Sequence, residues 1–411
     1  MSLLRDRRFA LLLAGQAVNG IGSWCALIAL WGYAAYRFDA SPAQIALLSL
    51  SWSLPAAVFG PLGGVPIDRF GPRRALIAAD GAAALVSIAL AFTNSYYELV
   101  ALGALIGLTR ACSDPAFSAL APRLVDDEQL LRANALLGAA MMSSIAFGPL
   151  LAAGAIALWG PRGAFVIDAI TYGIGIAVVL PLHLRAITHQ RSEHGSAWQE
   201  LHRGFAIVRD NVTVRRILEL VSSVYLVWGA YAVIEPIYVR DVLHRPASIF
   251  ALLQAAFGCV LLVNALVLTR VGERAAHMRV LRAAVAASAI AAPVYVGTNF
   301  VVAAFVGVSI WGGATAWIIA PRDTLLQRAT PVQAHGRILA IDNALRSWAH
   351  VVALPLAALL VGWFGVRPAA FTFAAVPMLG VLLSRRISEP APRPEHAPRV
   401  DAGLVAVAPA D

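Results

Sequence analysis

Long apolar runs recur along the whole chain, each about as long as a membrane crossing. A helix needs roughly 20 apolar residues to span a bilayer. Twelve such runs are found, near 9–36, 43–67, 73–94, 96–121, 131–158, 162–184, 216–240, 246–270, 277–297, 299–322, 336–363 and 366–387. The pattern predicts an all-α polytopic membrane protein with the lipid bilayer as its solvent. Two stretches break it. Residues 185–215 are polar, yet Trp198, Leu201, Phe205 and Val208 recur there at helical spacing, against Glu200, Arg203 and Arg209. That spacing predicts an amphipathic helix lying on the membrane surface. From Glu389 onward the chain is rich in proline and alanine, and a disordered tail is expected. The expected organisation is a six-helix bundle over 1–184, a linker over 185–215, a second six-helix bundle over 216–387 and a tail over 388–411.

The two bundles repeat each other at an offset of about 206 residues. Pro115 matches Pro321, Pro149 matches Pro355, and Arg73 matches Arg279. The turn Trp159-Gly160-Pro161-Arg162 matches Phe364-Gly365-Val366-Arg367. Four landmarks at nearly one spacing predict two pseudo-symmetric halves related by an axis along the membrane normal. Arginine placement sets the orientation. Arg5, Arg7, Arg8, Arg69, Arg73, Arg74, Arg123, Arg132, Arg270, Arg274, Arg279, Arg328 and Arg337 fall on one side, whereas Arg37, Arg162, Arg240, Arg245 and Arg367 fall on the other. The richer side is expected to be cytoplasmic, and it carries both termini.

Composition agrees with this reading and removes some chemistries. The 411 residues are 59% hydrophobic and 13% charged. A soluble domain carries about 25% charged residues, and the mean hydropathy is +0.73. The formal charge of +9 comes from arginines in short loops, a topology signal that calls for no nucleic-acid partner. All 32 basic residues are arginine, so there is neither a P-loop lysine nor a Schiff-base lysine. Cys25, Cys112 and Cys259 lie in apolar spans far apart, which suggests packing residues and neither disulfides nor zinc. The first apolar run is too long for a signal peptide and is expected to be an uncleaved helix. No cofactor and no metal are expected.

Residues 60–76 read GPLGGVPIDRFGPRRAL. Gly64, Asp68, Arg69, Gly71, Arg73 and Arg74 crowd a connection between spans two and three. The run resembles the signature loop of major facilitator superfamily transporters. Gly148-Pro149, followed by Ala152-Ala153-Gly154, resembles the family's antiporter motif with its glycine pair replaced by alanines. The stretches SDPAFSALAPRLV, LLRANAL, GAFVIDAITYG and LHRGFAIVRDNVTVRRIL resemble the branch containing macrolide-efflux proteins and the enterobactin exporter. The resemblance implies proton-driven export of a hydrophobic or siderophore-like small molecule across the plasma membrane, by a protein expected to be monomeric. An uptake permease or a lysolipid flippase of the same fold stays open, as does a membrane enzyme or sensor built on this scaffold.

Ionisable groups inside spans are costly, about 2.5–3.5 kcal/mol each on insertion scales, so those present deserve a role. Arg110 and Asp114 lie one turn apart in span four, and their counterparts in the second half are Ala316 and Ala320. They are candidates for proton coupling, or a static lock against Asp80. Asp342, Arg346 and His350 form a stripe along span eleven, opposite Leu136, Ala140 and Ser144 in the first half. They too are coupling candidates. The resemblance further implies that Asp68, with Arg73, latches the signature loop to the start of span eleven near Asp342. It also implies that spans one and seven line the cavity. On that ground Gln16, Asn19, Tyr225, Trp228, Tyr231 and Glu235 are candidate substrate contacts, the aromatics stacking and Glu235 attracting a cationic or hydroxyl-rich ligand. The gating candidates are the signature-loop residues with Gly148 and Pro149.

Overall fold

The computed structural model describes residues 3–182, 205–331 and 334–384. Among the described residues, twelve helices are long and apolar enough to cross a membrane. They are α1 (Arg7–Arg37), α2 (Pro42–Phe59), α3 (Pro72–Phe92), α4 (Tyr96–Ser118), α5 (Asp127–Trp159), α6 (Pro161–Val179), α7 (Val212–Ile237), α8 (Ala247–Val271), α9 (Met278–Val296), α10 (Val301–Arg328), α11 (His335–Phe364) and α12 (Val366–Leu383). No strand occurs among the described residues. Leu85, Leu158, Val302 and Leu383 are exposed on the outside of the bundle, where only lipid makes them affordable. Trp198 and Leu201 of the expected surface helix lie outside the described residues, as does the expected tail; residues 205–210 are helical.

The signature loop between spans two and three is itself largely helical. The second span stops at Phe59 because glycines and prolines follow it. A 3₁₀ turn, Gly60–Leu62, leads into a seven-residue helix, Gly64–Phe70. Gly71 then turns the chain with φ +81°, a conformation that favours glycine, and Pro72 opens α3.

α1–α6 form one half and α7–α12 the other, and the repeat survives in detail. Gly160 and Gly365 share one conformation, with φ +71° and +85°, and each starts the last helix of its half. Arg162 donates to Asn94 Oδ1 at 2.6 Å, and Arg367 donates to Asn299 Oδ1. Each pair ties the third–fourth helix connection of its half to its last helix, at one offset in sequence.

The halves meet along two seams, α5 with α8 and α2 with α11. At the first, sequence chemistry explains the contact. Pro149 has no N–H, so the carbonyl of Ile145 loses its helical partner. That oxygen points at Gly258 of α8, where any Cβ would overlap it and would stand 2.6 Å from Ala146 Cα. Gly148 does the same for α1: a Cβ there would overlap Trp24 Cβ and stand 3.0 Å from the Ile21 oxygen. The Gly-Pro step therefore wedges α5 between its own half and the other. Gly258→Val is expected to destabilise the protein by about 1–3 kcal/mol through overpacking. Gly362→Ala, with open space around its Cα, is expected to leave the unfolding temperature in detergent unchanged or slightly raised.

Candidate functional site

A cavity of about 510 Å³ runs through the first half, from the terminus-side ends of α4 and α5 to the middle of the bundle. Its walls are mixed. Trp24, Leu27, Trp52, Phe117 and Met141 give apolar and aromatic surface, while Gln16, Asn19, Ser23, Asp80, Arg110, Asp114 and Tyr172 give polar groups. Of the residues singled out in sequence, Gln16, Asn19, Arg110 and Asp114 lie here. Arg110 pairs with Asp114 at 3.6 Å; the Asp114 side chain is 63% exposed, so the pair faces the cavity's water.

Deeper in, α1, α3 and α6 converge on a buried polar cluster. Asp80 is 3% exposed and Asp168 1%. Asp168 accepts a hydrogen bond from Ser87 at 2.7 Å, and Ser23 reaches the Tyr172 hydroxyl at 3.3 Å. Asp80 enters the sequence reading only as a partner for a lock. Its signal is an aspartate in mid-span facing Ala286 at the repeat offset, the same asymmetry that marks Asp114.

In the second half the residues singled out in sequence are packed away from this cavity. Tyr225, Tyr231 and Glu235 are buried in its core, apart from the cavity, and Trp228 is packed against that core. Tyr231 packs at a tilt against Trp311, 4.7 Å between ring centroids, with Tyr295 and Phe257 completing the aromatic cluster. Glu235 accepts from Gln254 of α8. Asp342 is buried at the join of α7, α10 and α11, where Tyr225 donates to it at 2.8 Å and Arg322 pairs with it at 3.2 Å. Arg322 also pairs with Asp323 at 2.6 Å. Arg322 and Asp323 escape the sequence reading because the apolar run ends there, whereas α10 continues to Arg328. Arg346 is exposed and bonds Asn343, so the span-eleven stripe divides among different surroundings. His350 backs onto Gly229 of α7, whose missing Cβ leaves room for the His350 backbone.

The sequence profile of the Major Facilitator Superfamily matches residues 12–227 and 217–409. The chain belongs to this superfamily. An uncharacterized MFS-type transporter of Bacillus subtilis, YfiS, is 23% identical over 92% of this chain and 93% of its own. Macrolide efflux protein A of Streptococcus pyogenes is 24% identical over 88% of this chain and 91% of its own. Among solved structures, an auto-inhibited peptide transporter of the POT family superposes with a TM-score of 0.73 at 14% identity, covering 95% of this chain and 99% of that one. That likeness speaks for the fold.

As an MFS transporter the protein is sealed at the end away from its termini. A π-helical turn, Tyr238–Val242, follows α7 and carries Arg240 across to α1. Arg240 donates to the carbonyls of Ala35 at 2.8 Å and Ala40 at 3.1 Å, and pairs with Asp39 at 3.0 Å. The cation thus caps the negative end of α1. Beside it the Tyr36 hydroxyl donates to the Arg245 carbonyl at 2.7 Å. At the terminus side the signature-loop charges stand apart from α11. Asp68, Arg69 and Arg74 are exposed, with Arg69 over the Phe70 ring, and Asp342 is engaged by Arg322 instead. Gly63 of this loop nests against the Ala111 carbonyl, which Pro115 deprives of its helical partner. Open space surrounds Gly64.

Arg322→Gln strands the buried Asp342 carboxylate and is expected to cost about 3–5 kcal/mol; adding Asp342→Asn should recover part of it, read as thermal unfolding in detergent. Arg240→Ala removes the cross-half cap. In a protein without native cysteines, a reporter cysteine at Ser23 should then react several-fold faster with a bulky maleimide added from the sealed side.

Proposed function

We propose that this MFS transporter exports an amphiphilic small molecule in exchange for protons, by alternating access in the plasma membrane with both termini cytoplasmic. The observation that carries the reading is the cavity itself. It has aromatic walls for an apolar body, carboxylates for proton exchange, and an approach from the arginine-rich side while the other side is closed. By the positive-inside rule that approach is cytoplasmic, which is where a cargo bound for export is collected. The relative described as a macrolide efflux protein supports an outward direction and a drug-like cargo. Both halves lie on one chain, so a monomer holds the complete pathway. The signature-loop charges Asp68 and Arg73 act as a latch that engages α11 only when the cytoplasmic side closes, with Asp342 leaving Arg322 to receive them.

The test is a compound-resistance and accumulation panel in an efflux-deficient host, with and without a protonophore. Expression should lower accumulation of at least one amphiphilic class, and the protonophore should abolish the effect. Unchanged accumulation of every class would sink the export reading, and raised accumulation would favour an uptake permease. Asp114→Asn, which breaks the Arg110 pair at the cavity mouth, is expected to lower ΔpH-driven transport roughly tenfold or more with substrate binding retained. Wild-type coupling in that variant would remove Asp114 from the mechanism.

A further inference from the structure

One negative charge on the cavity wall has no counter-ion. Arg110 is committed to Asp114, which leaves Asp80 as a buried carboxylate with no cationic partner among the described residues. The groups that face it offer none. From α4 come Asp114 and Cys112, and from α6 come Asp168 and Tyr172. From α1 comes Asn19, which carries no charge. A buried, unpaired carboxylate is among the costliest groups a membrane helix can hold.

The hydrogen bonding around it is incomplete in a particular way. Asp80 Oδ1 and Asn19 Oδ1 are both acceptors, both buried, and both without a hydrogen-bond partner. The two side chains converge over Gly175 of α6. A Cβ on that glycine would stand 4.0 Å from Asp80 Oδ2 and 4.0 Å from Asn19 Nδ2. A carboxylate oxygen and an amide oxygen are both acceptors, so neither can satisfy the other. A single proton on the carboxyl turns one of them into a donor and removes the unpaired charge in the same step.

We infer that Asp80, with Asn19 across Gly175, binds the proton exchanged during transport. The inference rests on the proton-coupled reading above and names its binding group. Hydronium in the cavity water gives its proton to the Asp80 carboxylate, leaving water and a neutral carboxylic acid whose O–H donates to Asn19 Oδ1. The Arg110–Asp114 pair, exposed to the same water, stands at the solvent side of this site and is separate from it. When the halves rock and the far seal opens, the proton leaves and the bare carboxylate is restored. Asn19 acts as a positioning residue that holds the protonated form.

The experiment uses the full chain in nanodiscs and needs no substrate. Infrared difference spectra are recorded between about pH 5 and about pH 8, a range that brackets neutral pH. A protonated-carboxyl C=O band is expected in wild type, lost in Asp80→Asn and kept in Asp114→Asn and Asp168→Asn. Asn19→Leu should lower the proton affinity of that band roughly tenfold, the worth of one lost hydrogen bond. Thermal unfolding close to wild type certifies the fold of each variant. A band that persists unchanged in Asp80→Asn overturns the assignment. So does a sodium-induced shift of the carboxylate bands with no proton band, which would make the site one for an alkali cation. An Asn19→Leu band that titrates as in wild type overturns the role given to Asn19. If the band behaves as expected while wild type shows no ΔpH-driven export, the export reading fails and the proton site stands.

Discussion

Everything in this molecule depends on what a membrane helix does with a backbone group that has lost its partner. In lipid there is no water to take the bond, so a freed carbonyl must be met by protein. Pro149 frees Ile145, and Gly258 of the other half provides the space that receives it. Pro115 frees Ala111, and Gly63 of the signature loop receives that one. Both proline–glycine meetings fall where something must fit closely yet remain separable: the seam between halves, and the loop that follows α2. The motif glycines and prolines are therefore one device seen from two sides.

That device leaves the two halves free to differ in polarity. They share scaffolding down to the arginine–asparagine ties at their far ends. Their interiors are opposite. The first half holds a wet cavity with an exposed ion pair at its mouth and a buried, unpaired carboxylate in its wall. The second buries its aromatics against one another and closes its charges into a Tyr225–Arg322–Asp342 network. The second half carries Arg240 to the C-terminal end of α1, where it ties the two halves together. The first half is the one whose buried carboxylate, Asp80, lines a cavity. Charge repulsion and desolvation fall on Asp80 because every neighbour that might neutralise it is engaged elsewhere or acidic.

Much of this is legible along the chain. Twelve apolar runs, the offset of about 206 and the signature loop determine the helix count, the two-half architecture and the family, because hydrophobic length and glycine geometry are local properties. Gln16 and Asn19 are picked out by the family resemblance, Arg110 and Asp114 by the asymmetry between halves, and the cavity gathers all four. Facing direction is another matter. Tyr225, Tyr231 and Glu235 share a helix face in sequence, but the tilt and rotation of α7 turn that face into the core of its own half. Arg322 sits at the very end of an apolar run and is invisible as a buried cation until α10 is seen to continue. The sequence by itself determined how many helices form and where they turn, since each depends on neighbours within a few residues. Only the tertiary structure decided which charges are paired, because Asp342 meets Arg322 and Asp80 meets no cation only once helices distant in sequence have packed.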